Sequence, residues 1–169
     1  MMSLWNTNSE SSFQHNFINI FNIELFMQQN IELSFTPSQK YSFDIMKIGV
    51  KQHIDREYTY DFIPEELIGG VLLQNVHRLE KGTVIKFQCK EKCTVYFFFH
   101  SIVDGGYNEI FKRLPNWEKC ELFPKYDIEN PNGHGLTMEM YKRTIKPNEE
   151  IILPPTTKER ACSNIVFKS

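Results

Sequence analysis

The chain has 169 residues and a mass of 20.0 kDa, enough for one domain whose core needs neither a metal nor a disulfide. A hydrophobic content of 41% with 14% aromatics excludes a disordered chain, and 19 basic against 21 acidic residues leave no basic excess for phosphate-driven nucleic-acid binding. The first residues lack a basic region followed by an apolar one, and no run approaches the ~18 apolar residues of a membrane span, so a cytoplasmic protein with reduced cysteines is expected.

Residues 1–12 are polar and read as a flexible lead-in to a single domain over 13–169. Between Phe13 and Leu25 a helical spacing competes with β-branched and aromatic composition, and the asparagines tip the reading to strand. Strands follow at IELSF (31–35), KYSFDIMKIGV (40–50) and EYTYDFI (57–63). In the second, Tyr41, Phe43 and Ile45 alternate with Ser42, Asp44 and Met46, the pattern of a half-buried strand. Pro64, Gly69 and Gly70 punctuate the chain before VLLQNV (71–76).

GTVIKFQCKEKCTVYFFFH reads as two strands joined by a short charged turn, which predicts an antiparallel hairpin. The first arm alternates; the second has no polar face from Val95 to Phe99 and reads as a central strand covered on both sides. A short helix near 108–114 is expected from Ile110, Phe111 and Leu114, stopped by Pro115. A long irregular connection then leads to LTMEMYKRTI, EIILP and SNIVFK, three further strands. The sum is an all-β, antiparallel β-sandwich, jelly-roll-like or galactose-binding-like. The stretch from residue 57 onward resembles small, often non-catalytic β-sandwich modules in architecture, without a diagnostic motif.

Several residues invite a chemical reading. His100 and Asp104, beside Gly105-Gly106, suggest a base and its partner for a hydrolase, but Ser101 lies in no G-x-S-x-G elbow; a strand end running into a glycine turn is the plainer explanation. Cys89 and Cys93 in C-K-E-K-C would need dispersed partners such as Cys120, Cys162, His100 or His134 to make a zinc site, so no metal or other cofactor is expected. Adjacent acids such as Glu65-Glu66 and Glu149-Glu150 point to opposite sides of an extended chain and do not flank one glycosidic bond.

His134 sits in the turn-forming run P-N-G-H-G, a candidate binding loop. Tyr107, Asn108 and Trp117 would suit a sugar ring if the aromatic faces were exposed, or would plug the end of the sandwich if buried. The expected function is a non-enzymatic module for protein–protein interaction, self-association or structural assembly. A carbohydrate-binding module using Tyr107 and Trp117 is the alternative, followed by a hydrolase centred on His100 and Asp104.

Overall fold

The computed structural model describes residues 30–126 and 138–169. The expectations for residues 1–29 and for the His134 loop lie outside the described residues. Eleven strands and one short α-helix are described, and every strand pairing is antiparallel. This bears out the β-sandwich reading.

One sheet has the order β1 (Ile31–Thr36), β5 (Val84–Cys89), β10 (Ile151–Leu153). The facing sheet has six strands: β2 (Ser42–Ile45), β4 (Val71–Gln74), β11 (Ser163–Lys168), β6 (Cys93–His100), β9 (Met138–Ile145) and β7 (Glu118–Lys119). A two-stranded ribbon of β3 (Tyr60–Phe62) and β8 (Lys125–Tyr126) accompanies them. The helix α1 spans Tyr107–Phe111, beginning one residue before the predicted stretch and ending three earlier.

Side-chain alternation builds two cores on opposite faces of the larger sheet. Val95, Phe97 and Phe99 of β6, Leu73 of β4 and Ile165 and Phe167 of β11 meet Phe35, Ile85, Phe87 and Leu153 between the sheets. The intervening residues Tyr96, Phe98, Leu72 and Val166 face the other way, and pack with Met46, Val50, Tyr60, Ile63, Leu67 and Tyr126. That second layer explains why β6 lacks a polar face, and β6 is central as expected, lying between β11 and β9. It also explains Met46, which the alternation placed with Ser42 and Asp44 but which is wholly buried once β2 has ended.

The expected β5–β6 hairpin is corrected. The charged connection KEK is a crossover between sheets: β5 pairs with β1 and β10, while β6 pairs with β11 and β9. The same alternating residues serve either arrangement, because Ile85 and Phe87 face Val95 and Phe97 across the core instead of lying beside them in one sheet.

Among the described residues, no helix is long and apolar enough to cross a membrane. The long connection after α1, read as irregular, contributes the short strands β7 and β8.

Candidate functional site

His100 ends β6 with 3% of its surface exposed, and its Nδ1 accepts hydrogen bonds from the backbone N–H groups of Ile102 at 3.2 Å and Val103 at 3.3 Å. Both Asp104 oxygens are similarly engaged: Oδ1 accepts from Gly106 N–H at 2.7 Å and Oδ2 from Asn108 N–H at 3.3 Å. The carboxylate thus serves the first turn of α1, where N–H groups have no helical partner. Gly105 and Gly106 take φ of +63° and +92° and press against Ala161 and Thr157. This stretch is a strand exit and turn, as the plainer explanation expected; a hydrolase centred on His100 and Asp104 would need an accessible imidazole that the fold does not provide.

Tyr107 and Trp117 are also corrected as ligand-stacking residues. Both are buried in the inter-sheet core: Tyr107 lies edge-on to Phe97 with ring centroids 4.8 Å apart, and Trp117 edge-on to Phe111 at 5.2 Å. Large aromatic rings gain most by leaving water; α1 carries Tyr107, and Trp117, just before β7, packs into the same core. Asn108 is half-buried on α1, its N–H bound by Asp104. Cys89 and Cys93 are free, buried thiols with sulfurs 3.4 Å apart, and no described histidine joins them.

Two features that local spacing does not announce lie around the second core. The first is a polar cluster beneath the surface, formed where the loop before β3, the end of β4 and the start of β11 meet. Tyr60 donates its hydroxyl to Asn164 Oδ1 at 2.6 Å, and Asn164 Nδ2 donates to the carbonyls of Gln52 at 2.9 Å and Leu73 at 3.1 Å. Beside them His53 places Nδ1 3.2 Å from the Asn75 carbonyl and Nε2 3.5 Å from the Cys162 sulfur. A carbonyl only accepts, so the ring proton resides on Nδ1 and Nε2 offers its lone pair to the thiol.

Burial holds the His53 imidazole down to about 3 and pushes the Cys162 thiol up to about 12, so both are neutral at physiological pH. His77 completes the group, with its ring edge-on to His53 at 5.1 Å and its backbone N–H donating to Asp55 Oδ1 at 2.8 Å. One donor atom from each of His53, His77 and Cys162 lies within 4.8 Å of the others.

The second feature is the outer side of the β3–β8 ribbon. Tyr58 and Phe62 are each 37% exposed, while Tyr60 between them is fully buried. The pairing shifts register between Tyr60 and Phe62, and such an irregularity turns neighbouring side chains away from strict alternation. Tyr58 leans on His77 and Tyr126 at 5.5 and 5.8 Å, and Lys125 Nζ stands 5.4 Å from the Phe62 ring centre and 5.8 Å from that of Phe123. Phe62 thus carries an ammonium close to its part-exposed ring, and Tyr58, just before β3, is held by the rings of His77 and Tyr126. A separate groove of about 540 Å³ opens at the sandwich end between the sheets, lined by Ile31, Ile45, Val71, Cys93 and Phe167.

No protein-family model matches the chain, and no curated protein matches it. Among solved structures it is similar to a β-glucuronidase from glycoside hydrolase family 2, with a TM-score of 0.60 and 16% identity over 81% of this chain and 14% of that one. It is also similar to a GH138 enzyme targeting pectin rhamnogalacturonan II, with a TM-score of 0.49 and 13% identity over 82% of this chain and 16% of that one. The chain therefore spans only a small part of these enzymes' length. At such identity, the likeness to the β-glucuronidase shows a shared β-sandwich fold.

Proposed function

We propose that the chain is a non-enzymatic recognition module and that it binds a glycan on the outer side of the β3–β8 ribbon. The observation that carries this reading is the pair of part-exposed rings, Tyr58 and Phe62, held against Tyr126 and Lys125 with charged groups alongside. A sugar presents an apolar face of C–H groups and a rim of hydroxyls, which aromatic faces and flanking charged groups complement respectively. The similarity to part of a β-glucuronidase supports carbohydrate as the ligand class. His100 and Asp104, engaged in a turn, support a binding role over a catalytic one.

The test is calorimetric titration of oligosaccharides, including uronic-acid-containing ones, into the wild-type chain and into Tyr58→Ala and Phe62→Ala. Saturable binding weakened at least tenfold by either replacement, with melting behaviour retained, is the expected result. Binding that survives both replacements would sink the ribbon as the site.

A second reading, protein interaction or self-assembly, is favoured by the apolar groove at the sandwich end. It predicts a concentration-dependent rise in sedimentation coefficient that replacing Ile45 by Glu abolishes; a concentration-independent monomer would count against self-assembly.

A further inference from the structure

We propose that His53, His77 and Cys162 form a binding site for a divalent transition-metal ion of the zinc class, with three protein donors and one position left for an exogenous ligand. The site is independent of the glycan-binding reading, although Tyr58 touches both surfaces. Zinc-class ions favour imidazole nitrogen and thiolate sulfur in tetrahedral array. With metal–nitrogen bonds of about 2.0–2.1 Å and a metal–sulfur bond of about 2.3 Å, tetrahedral donors stand roughly 3.3–3.6 Å apart. His53 Nε2 and Cys162 Sγ are already at 3.5 Å, and all three donors fall within 4.8 Å. Reaching that spacing requires His77 to close on the other two donors by up to about 1.2–1.5 Å.

The surroundings match what such a centre needs beyond its donors. The Asn75 carbonyl holds the proton on His53 Nδ1, which orients the ring and leaves Nε2 free to coordinate, the usual arrangement of a metal-bound histidine. His77 Nδ1 is buried without a hydrogen-bond partner among the described residues. An orphaned imidazole nitrogen beside a thiol and a second imidazole is costly without a ligand.

The backbone around the cluster is pinned by hydrogen bonds. Ile54 N–H donates to the Asn75 carbonyl at 3.2 Å, Leu79 N–H to Ala161 at 2.8 Å, and Cys162 N–H to Val103 at 3.2 Å. Coordination releases the Cys162 thiol proton to solvent, and the thiolate with Asp55, whose field reaches all three donors, matches the two charges of the ion; Arg56 and Arg78 nearby leave the neighbourhood net positive. His53 and Cys162 are buried while His77 is half-buried, so an ion and its fourth ligand would enter beside His77.

Cobalt(II) titration of the purified, metal-free full chain tests this, because cobalt reports its ligands optically, and competition with zinc gives the affinity. One equivalent should produce visible d–d bands of tetrahedral intensity and a near-ultraviolet thiolate-to-cobalt charge-transfer band, both erased by zinc. Cys162→Ser should abolish the charge-transfer band and His77→Ala should weaken binding at least tenfold. The Cys89→Ser/Cys93→Ser double variant, which removes the other thiol pair, should leave the spectrum unchanged.

Absence of saturable binding to the wild-type chain would overturn the proposal, as would a charge-transfer band that persists in Cys162→Ser or vanishes in Cys89→Ser/Cys93→Ser. Should Cys162→Ser fail to fold, His77→Ala decides at the half-buried position: undiminished affinity there would equally overturn the site.

Discussion

At the scale of single residues, Asn164 carries an unusual share of the polar accounting. It sits on a central strand with no surface exposed, bonded to Tyr60, to the Gln52 carbonyl and to the Leu73 carbonyl. Removing one side of a buried hydrogen bond costs about 1–3 kcal/mol for each group left unsatisfied. Asn164→Leu should therefore destabilise by roughly 2–5 kcal/mol, and Tyr60→Phe by a smaller amount, about 1–2 kcal/mol, in denaturant unfolding. Equal, near-zero effects would mean that the cluster contributes nothing to stability.

The glycine pair gives a second residue-scale expectation. A methyl group on Gly105 would overlap Ala161 and one on Gly106 would overlap Thr157, at φ values an L-residue rarely adopts. Either replacement by alanine should cost roughly 1–3 kcal/mol, measured in the same way. In this stretch the sequence was legible, since Asp-Gly-Gly after an apolar run signals a turn. The engagement of His100 was not, because an imidazole that accepts two backbone N–H groups and one that meets a substrate look identical as letters.

At the scale of elements, the burial of β6 on both faces follows from its unbroken apolar run, and the partners of that strand do not. Alternation fixes which side chains share a face but leaves open whether two successive strands pair or cross between sheets. Cross-strand nuclear Overhauser contacts should link Phe97 to Ile165 and Tyr141, its neighbours in register, with none of the backbone contacts to β5 that a hairpin would give. Phe97→Ala should cost about 3–5 kcal/mol, as expected for a fully buried ring in a core that cannot collapse around the void.

The strand at EYTYDFI is legible in the sequence, and the exposure of its rings is not. Tyr58, Tyr60 and Phe62 have the same parity in EYTYDFI, yet Tyr60 is buried while Phe62, beyond the register shift, and Tyr58, which precedes β3, are part-exposed. The exposed rings therefore lie where the sequence reading placed an ordinary strand, and the rings it offered to a ligand lie in the core.

At the scale of the whole molecule, the sandwich brings His53, His77 and Cys162 together from segments far apart in the chain, through the pairing of β4 with β11 and the bridge between Leu79 and Ala161. No local spacing signals that cluster; of the three, the sequence offers only Cys162 as a dispersed ligand, and for the Cys89–Cys93 pair. The same architecture leaves Phe62, beside Lys125, part-exposed on the β3–β8 ribbon, where the proposed recognition rests.

Amide chemical-shift mapping during titration with an oligosaccharide tests the recognition role most directly. Saturable shifts confined to residues 58–62 and 123–126 are the predicted result. Absence of saturable shifts across a panel of neutral and acidic glycans, or shifts centred on Tyr107 to Trp117 or on the groove lined by Ile31, Ile45 and Phe167, would contradict it.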